Sequence, residues 1–126
     1  MKIKIASAVF AFSALLPTHW AQAASIPQEL LGRYIAPSGS CAESQKAFKE
    51  TGMWDGVIID KDRISFIESS CDVSRLSKSG TSSYALILKC SGEGEEWNDK
   101  ATYKIAGSTL TITSKDGSEN FKGCGR

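Results

Sequence analysis

The sequence predicts a mainly β protein, in which a small antiparallel meander of about seven strands forms a barrel or a strongly curved sheet. Three observations lead to this prediction. Short runs of apolar and β-branched residues alternate with polar residues from position 54 onward, turn sequences separate these runs, and only the segment 41–50 has clear helical character. A two-sheet sandwich is the alternative architecture.

The N-terminal 23 residues are predicted to be a cleaved signal peptide. Two lysines precede an apolar run at 5–16, and the small-residue motif Ala21-Gln22-Ala23 follows it. The apolar run is shorter than the roughly 20 residues that a membrane-spanning helix needs. We therefore expect residues 24–126 to form one exported, periplasmic domain without a membrane span.

Cleavage at this point limits the chemistry open to the exported chain. The single histidine, His19, lies in the signal peptide, and Ser-His-Asp, Cys-His and His-ligated zinc sites all need a histidine. The basic residues fall from 15 to 13 against 14 acidic residues, so the formal net charge changes from +1 to −1. We predict no enzyme activity, no cofactor and, because no long basic run is present, no nucleic-acid partner.

One short helix is predicted near 41–50. Its residues favour helix, Ser40 is suited to cap its first turn, and Glu43 stands where a capping box needs an acidic side chain. Gly52 is placed to end it.

Seven runs are predicted to be strands. They are 30–36, 56–59, 63–67, 84–90, 101–105, 109–113 and 120–124. The strongest hairpin signal is Asp116-Gly117, because these residues tolerate the positive φ angles of a type I′ turn. The polar segment 69–83 and the acidic segment 91–100 are predicted to be loops.

All four cysteines lie in the exported part, and an even number in a small exported chain predicts two disulfides. A four-cysteine zinc site is disfavoured because the sequence contains no Cys-x-x-Cys pair. If the helix crosses back along the barrel, strand directions predict the pairs Cys41–Cys90 and Cys71–Cys124. Without that crossing, Cys41, Cys71 and Cys124 share one end and the pairing stays open.

The acidic segment around Trp97 is the first candidate site. Glu93, Glu95, Glu96 and Asp99 are interpreted mainly as a solvated loop, with calcium binding and carboxylate-pair catalysis as alternatives. Because the spacing lacks the register of a calcium loop, we predict no metal site. Trp97 either folds back over a barrel end or contacts a partner.

The segment 74–84 is the second candidate, with Lys78, Ser79 and Tyr84 as predicted contact residues. It is either a mobile solvated loop or a loop that inserts into the cleft of a partner. Ser79-Gly80 followed by Tyr84 loosely resembles the Ser-Gly…Tyr loop of small periplasmic inhibitors of c-type lysozyme. That family consists of disulfide-containing β-barrels, so the resemblance implies an inhibitory loop.

The leading functional hypothesis is an exported, non-enzymatic binding or structural module whose partner, such as another exported protein, is not identified by the sequence. The first alternative is a protein inhibitor of a lysozyme or protease acting through 74–84. The second is a carrier of a small ligand or lipid inside the barrel. The bulky side chains expected inside the barrel leave little room for such cargo.

Overall fold

The computed structural model describes residues 25–126, and the predicted signal peptide at 1–23 lies outside the described residues. Eight antiparallel strands follow one another around a closed barrel, and the first pairs with the eighth. They are β1 (Gly32–Ile35), β2 (Val57–Ile59), β3 (Arg63–Ser65), β4 (Ser70–Gly80), β5 (Ser83–Gly92), β6 (Glu95–Ala106), β7 (Thr109–Ser114) and β8 (Gly117–Gly123). A 3-10 turn (Gln28–Leu30) precedes β1, and helix α1 (Cys41–Thr51) follows it. The predicted mainly β meander is confirmed.

The barrel has two ends, which the turns define. The upper end carries the turns 60–62, 81–82 and 107–108, together with the 3-10 turn. The lower end carries the connection 66–69 and the turns 93–94 and 115–116.

Helix α1 begins and ends as its sequence predicts. The Ser40 hydroxyl accepts a hydrogen bond from the backbone N–H of Glu43, and Gly52 adopts a left-handed conformation at the other end. The helix lies against the outside of the barrel wall, where Phe48 packs edge-to-face on Trp54 with ring centroids 6.0 Å apart. The Arg33 guanidinium of β1 stands 4.5 Å from the centre of the Phe48 ring.

The segment 69–83, predicted to be a loop, is mostly strand β4. This strand pairs with β5 from Ser70 to Gly80, and its register shifts at two points. At the first shift, after Val73, an extra residue is inserted, so the next side chain on the same face is Leu76, three positions later. The bulge interrupts the period-two pattern, and serines occupy most of the outer positions.

The segment 91–100, predicted to be an acidic loop, consists of strand ends joined by a two-residue turn. Glu93 and Gly94 both have positive φ angles, 51° and 79°, as a type I′ hairpin requires. Strand β6 then begins at Glu95 and carries the remaining acidic residues.

The barrel interior is filled by side chains from all eight strands and from the 3-10 turn. Leu30 and Tyr103 are almost completely buried in it. The other buried members are Ile26, Tyr34, Val57, Ile59, Ile64, Cys71, Val73, Tyr84, Leu86, Leu88, Cys90, Ala101 and Leu110, with Phe121 of β8 packed against them.

Two disulfides are present, as predicted, but the predicted pairs Cys41–Cys90 and Cys71–Cys124 are wrong. The bonds are Cys71–Cys90 and Cys41–Cys124. Strand β4 lies between β3 and β5, which the sequence predicted to be consecutive strands. Cys71 in β4 therefore pairs directly with Cys90 in β5. The helix does not cross the barrel, because β2 is antiparallel to β1. The Gln45 side chain in α1 donates a hydrogen bond to the Cys124 carbonyl, 3.2 Å away.

Candidate functional site

Tyr84, which the sequence predicts to contact a partner, is buried and forms a hydrogen bond within the protein. Its side chain is 7% exposed, and its hydroxyl donates a hydrogen bond to the carboxylate of Glu29 in the 3-10 turn. The Ser82 hydroxyl donates a second hydrogen bond to the same carboxylate at 3.0 Å. These two hydrogen bonds, with the positive charge of Lys78, lower the pKa of Glu29. Tyr84 thus holds the segment before β1 against the upper end of the barrel.

Lys78 and Ser79 remain exposed near the tip of the β4–β5 hairpin. Lys78 pairs with Tyr84 in the strand register, while Ser79 occupies the second bulge of β4. The hydroxyls of Ser79 and Ser83 lie 3.0 Å apart and share a hydrogen bond. The predicted flexible loop is therefore an ordered hairpin that presents two polar side chains.

Trp97 lies at the opposite end of the barrel from these residues. It pairs with Cys90 across β5 and β6, and 41% of its surface is exposed. Cys90 lies six positions after Tyr84 along β5, a length of about 20 Å. The four predicted contact residues therefore form two separate sites, and Trp97 does not join Lys78, Ser79 and Tyr84.

The acidic residues around Trp97 are divided by the pleat of β6. Glu95 and Asp99 stand on one face of the strand and Glu96 on the other, because successive side chains alternate. Within residues 25–126, no group of three or more His, Cys, Asp and Glu side chains is placed to hold a metal ion.

A second feature of the surface is a row of basic side chains on the outer face of β4 to β7. In the strand register Arg75 of β4 pairs with Ile87 of β5, and Ile87 pairs with Lys100 of β6. Lys115 follows the end of β7, the strand next to that of Lys100. All three cations are exposed. We call the outer surface of β4 to β7 around Arg75, Lys100 and Lys115 the basic face.

The basic face contains a shallow hollow of about 470 Å³. Ile87 lies between Arg75 and Lys100, Ala85 lies between Ser77 and Thr102, and both contribute apolar surface to the hollow. Hydroxyl groups complete the polar lining, from Ser77, Thr102, Thr113 and Ser114. Among the described residues, none that lines this hollow is an aspartate or a glutamate. The hollow therefore offers positive charge and hydroxyl groups without a competing carboxylate.

The sequence interpretation missed the basic face because its charges lie far apart along the chain. The net charge is close to zero and no basic run is present, yet the strand register places Arg75, Lys100 and Lys115 on one surface. The available signal was the alternation Lys100-x-Thr102-x-Lys104, which puts cations and hydroxyls on the outer face of β6.

Comparison of the chain with protein-family models, curated proteins and solved structures finds no match. Within residues 25–126, no helix has the length and apolar character needed to cross a membrane.

Proposed function

We propose that this protein is an exported, periplasmic, non-enzymatic binding module that holds an anionic ligand on its basic face. The observation that carries the proposal is the hollow lined by Arg75, Lys100 and Lys115, in which three cations converge without a carboxylate among the described lining residues. Arginine and lysine bind carboxylate, sulfate and phosphate groups through charge-assisted hydrogen bonds.

Two features support export. The first 23 residues have the pattern of a signal peptide, with a basic start, an apolar run and a small-residue cleavage motif. All cysteines of the described chain are in disulfides, which form and persist in oxidising compartments.

The filled interior favours binding on the outer surface over the alternative of a ligand carrier. Tyr103, Leu86 and Leu88 are almost fully buried in the barrel, and no more than 2% of any of them is exposed. A carrier barrel needs an interior that side chains leave open. Native mass spectrometry of protein purified without denaturation tests this point, and a retained lipid would support the carrier instead.

The proposal is tested with a polyanion that carries no sugar or base. Inorganic polyphosphate is titrated at low ionic strength into the wild type and into Arg75→Gln/Lys100→Gln/Lys115→Gln. The control is Lys46→Gln/Lys49→Gln/Lys61→Gln, which removes the same charge from helix α1 and the β2–β3 turn. We expect the first variant to bind about tenfold more weakly or worse, and the control to bind like the wild type. Absence of wild-type binding, or equal loss in both variants, contradicts the proposal.

The exposed tip of the β4–β5 hairpin favours a second candidate, a protein inhibitor acting through Lys78 and Ser79. Inhibition of c-type lysozyme and of periplasmic proteases is measured for the wild type and for Lys78→Ala/Ser79→Ala. Tyr84 is left intact in this variant because its hydrogen bond to Glu29 supports the fold. A wild type that inhibits none of these enzymes eliminates this candidate.

A further inference from the structure

We propose that the ligand of the basic face is a linear acidic polysaccharide, an assignment that rests on the proposed function of anion binding at that face. Three features of the hollow lead to this ligand class: the spacing of its cations, its row of hydroxyl groups, and the kinds of side chain that line it.

The cations form a row that crosses the strands. Arg75 and Lys100 flank Ile87 on alternate strands, which places their backbones about 10 Å apart. Lys115 continues the row beyond β6. A polymer lying across the strands meets a cation, a small apolar surface and then further cations. Acidic polysaccharides have this pattern, because their charged groups are separated by uncharged sugar faces and hydroxyls.

A second row supplies hydroxyl groups. Ser77 and Thr102 both pair with Ala85 in the register, and Thr102 pairs with Thr113 of β7. This row is adjacent to the row of cations and lines the same hollow. Each hydroxyl can donate one hydrogen bond and accept others, as a sugar hydroxyl can. The side chains are therefore suited to a ligand that is polyhydroxylated as well as charged.

The lining disfavours the other common polyanions. Proteins that bind single-stranded nucleic acid stack bases on aromatic side chains, and the described residues that line the hollow include no aromatic ring. Duplex DNA carries one charge per roughly 1.7 Å of its axis, much denser than three cations spread across β4 to β7. Among the described residues, the exposed large apolar side chains are Met53, Ile67 and Trp97, and none of them lines the hollow, which disfavours a lipid surface as its ligand.

The experiment compares four probes on one protein. They are polygalacturonate, neutral dextran, a single-stranded oligodeoxynucleotide and phosphatidylglycerol vesicles, each titrated at the same ionic strength. We expect polygalacturonate to bind about tenfold more tightly than the oligonucleotide or the vesicles, and dextran not to bind. The variant Arg75→Glu/Lys100→Glu/Lys115→Glu should lose this binding, whereas Lys46→Glu/Lys49→Glu/Lys61→Glu, with the same net charge, should keep it.

A variant that leaves the charges in place tests the hydroxyl row separately. Ser77→Ala/Thr102→Val should weaken polygalacturonate binding about threefold or more and leave polyphosphate binding unchanged. Both substitutions are small and lie on the outer face of the barrel, and thermal unfolding compares their stability with that of the wild type.

The possible failures are distinguishable. If oligonucleotide or vesicles bind as tightly as polygalacturonate and depend equally on Arg75, Lys100 and Lys115, the polysaccharide assignment is overturned and the proposed anion binding stands. If the wild type does not bind polyphosphate, the proposed anion binding and the polysaccharide assignment that rests on it are both overturned. If it binds polyphosphate and not polygalacturonate, the polysaccharide assignment alone is overturned. If Ser77→Ala/Thr102→Val weakens both probes equally, or neither, selection through sugar hydroxyls is overturned.

Discussion

The hydroxyl of Tyr84, near the start of β5, donates a hydrogen bond to the carboxylate of Glu29, which lies 55 positions earlier in the 3-10 turn. Ser82 supports the same carboxylate, and the neighbouring Leu30 is fully buried in the barrel core. The hydrogen bonds to Glu29 and the buried side chain of Leu30 thus hold the 3-10 turn against the upper end of the barrel.

Replacing Glu29 with glutamine should destabilise the protein at pH 7. The folded state lowers the pKa of Glu29, through its hydrogen bonds to Tyr84 and Ser82, so the carboxylate stabilises the fold above its unfolded pKa of about 4.3. This contribution is lost as pH falls through the folded pKa. Urea unfolding should therefore separate Glu29→Gln from the wild type at pH 7 and not at low pH. The control Glu68→Gln, at an exposed loop position, should unfold at the same urea concentration as the wild type at pH 7.

The tyrosines should titrate abnormally in the native protein. The pKa is raised for Tyr34 by burial, for Tyr84 by its hydrogen bond to Glu29, and for Tyr103 by burial. These are the three tyrosines of the chain. An ultraviolet titration of phenolate should give a native midpoint above the ordinary pKa of about 10, whereas reduced protein in urea should titrate at that value. Equal midpoints for the native and the unfolded protein would contradict the raised pKa values.

The same raised pKa values predict alkaline unfolding. Each folded pKa lies above its unfolded value, so the stabilisation is complete below about pH 10 and declines as pH rises past that value. The urea concentration at which half of the protein is unfolded should therefore decrease once the pH exceeds about 10. Tyr84→Phe should reduce the steepness of this decline, because it removes one of the three titrating groups.

Tryptic digestion without reduction should give two specific cross-linked products. Cleavage after lysine and arginine places Cys41 in peptide 34–46 and Cys124 in 123–126, and these should be joined. Cys71 in peptide 64–75 should be joined to Cys90 in 90–100. A link between 34–46 and 90–100 would contradict the structure.

A single methyl group at Gly56 should be strongly destabilising. A Cβ at this position would lie 1.9 Å from the backbone oxygen of Tyr34, which also accepts a hydrogen bond of 3.0 Å from the Trp54 indole. The backbone must therefore move, and we expect Gly56→Ala to cost about 3 kcal/mol or more in urea unfolding. The control is Gly94→Ala, in the open turn at φ 79°, which should cost only about 1 kcal/mol. Similar values for the two variants would contradict the close approach at Gly56.

Local signals in the sequence are enough to predict much of the fold. Ser40 and Gly52 cap helix α1 as predicted, Ser40 by accepting a hydrogen bond from the backbone N–H of Glu43 and Gly52 by its left-handed conformation. Strand β4 could not be read in the same way. Its bulge puts Val73 and Leu76 three positions apart on one face, so the period of two that identifies a strand is broken.

The missing strand β4 also explains the wrong disulfide prediction, because omitting one strand reverses the direction assigned to the strands that follow it.

The basic face could not be predicted from the sequence for a different reason. Nothing local relates Arg75 to Lys100, because they become neighbours only when β4, β5 and β6 are aligned in their actual register. The sequence predicts Tyr84 as a contact residue for a partner, whereas its hydroxyl contacts Glu29, in a segment that the sequence pattern leaves without a role.

The pairing of β1 with β8 determines when the molecule can fold. Until Gly123 has been synthesised, β1 lacks one neighbour, β7 lacks another, and two strand edges remain open. The Cys41–Cys124 bond, which spans 83 positions, forms later still. A growing chain therefore cannot close the barrel or complete both disulfides until residue 124 has been synthesised.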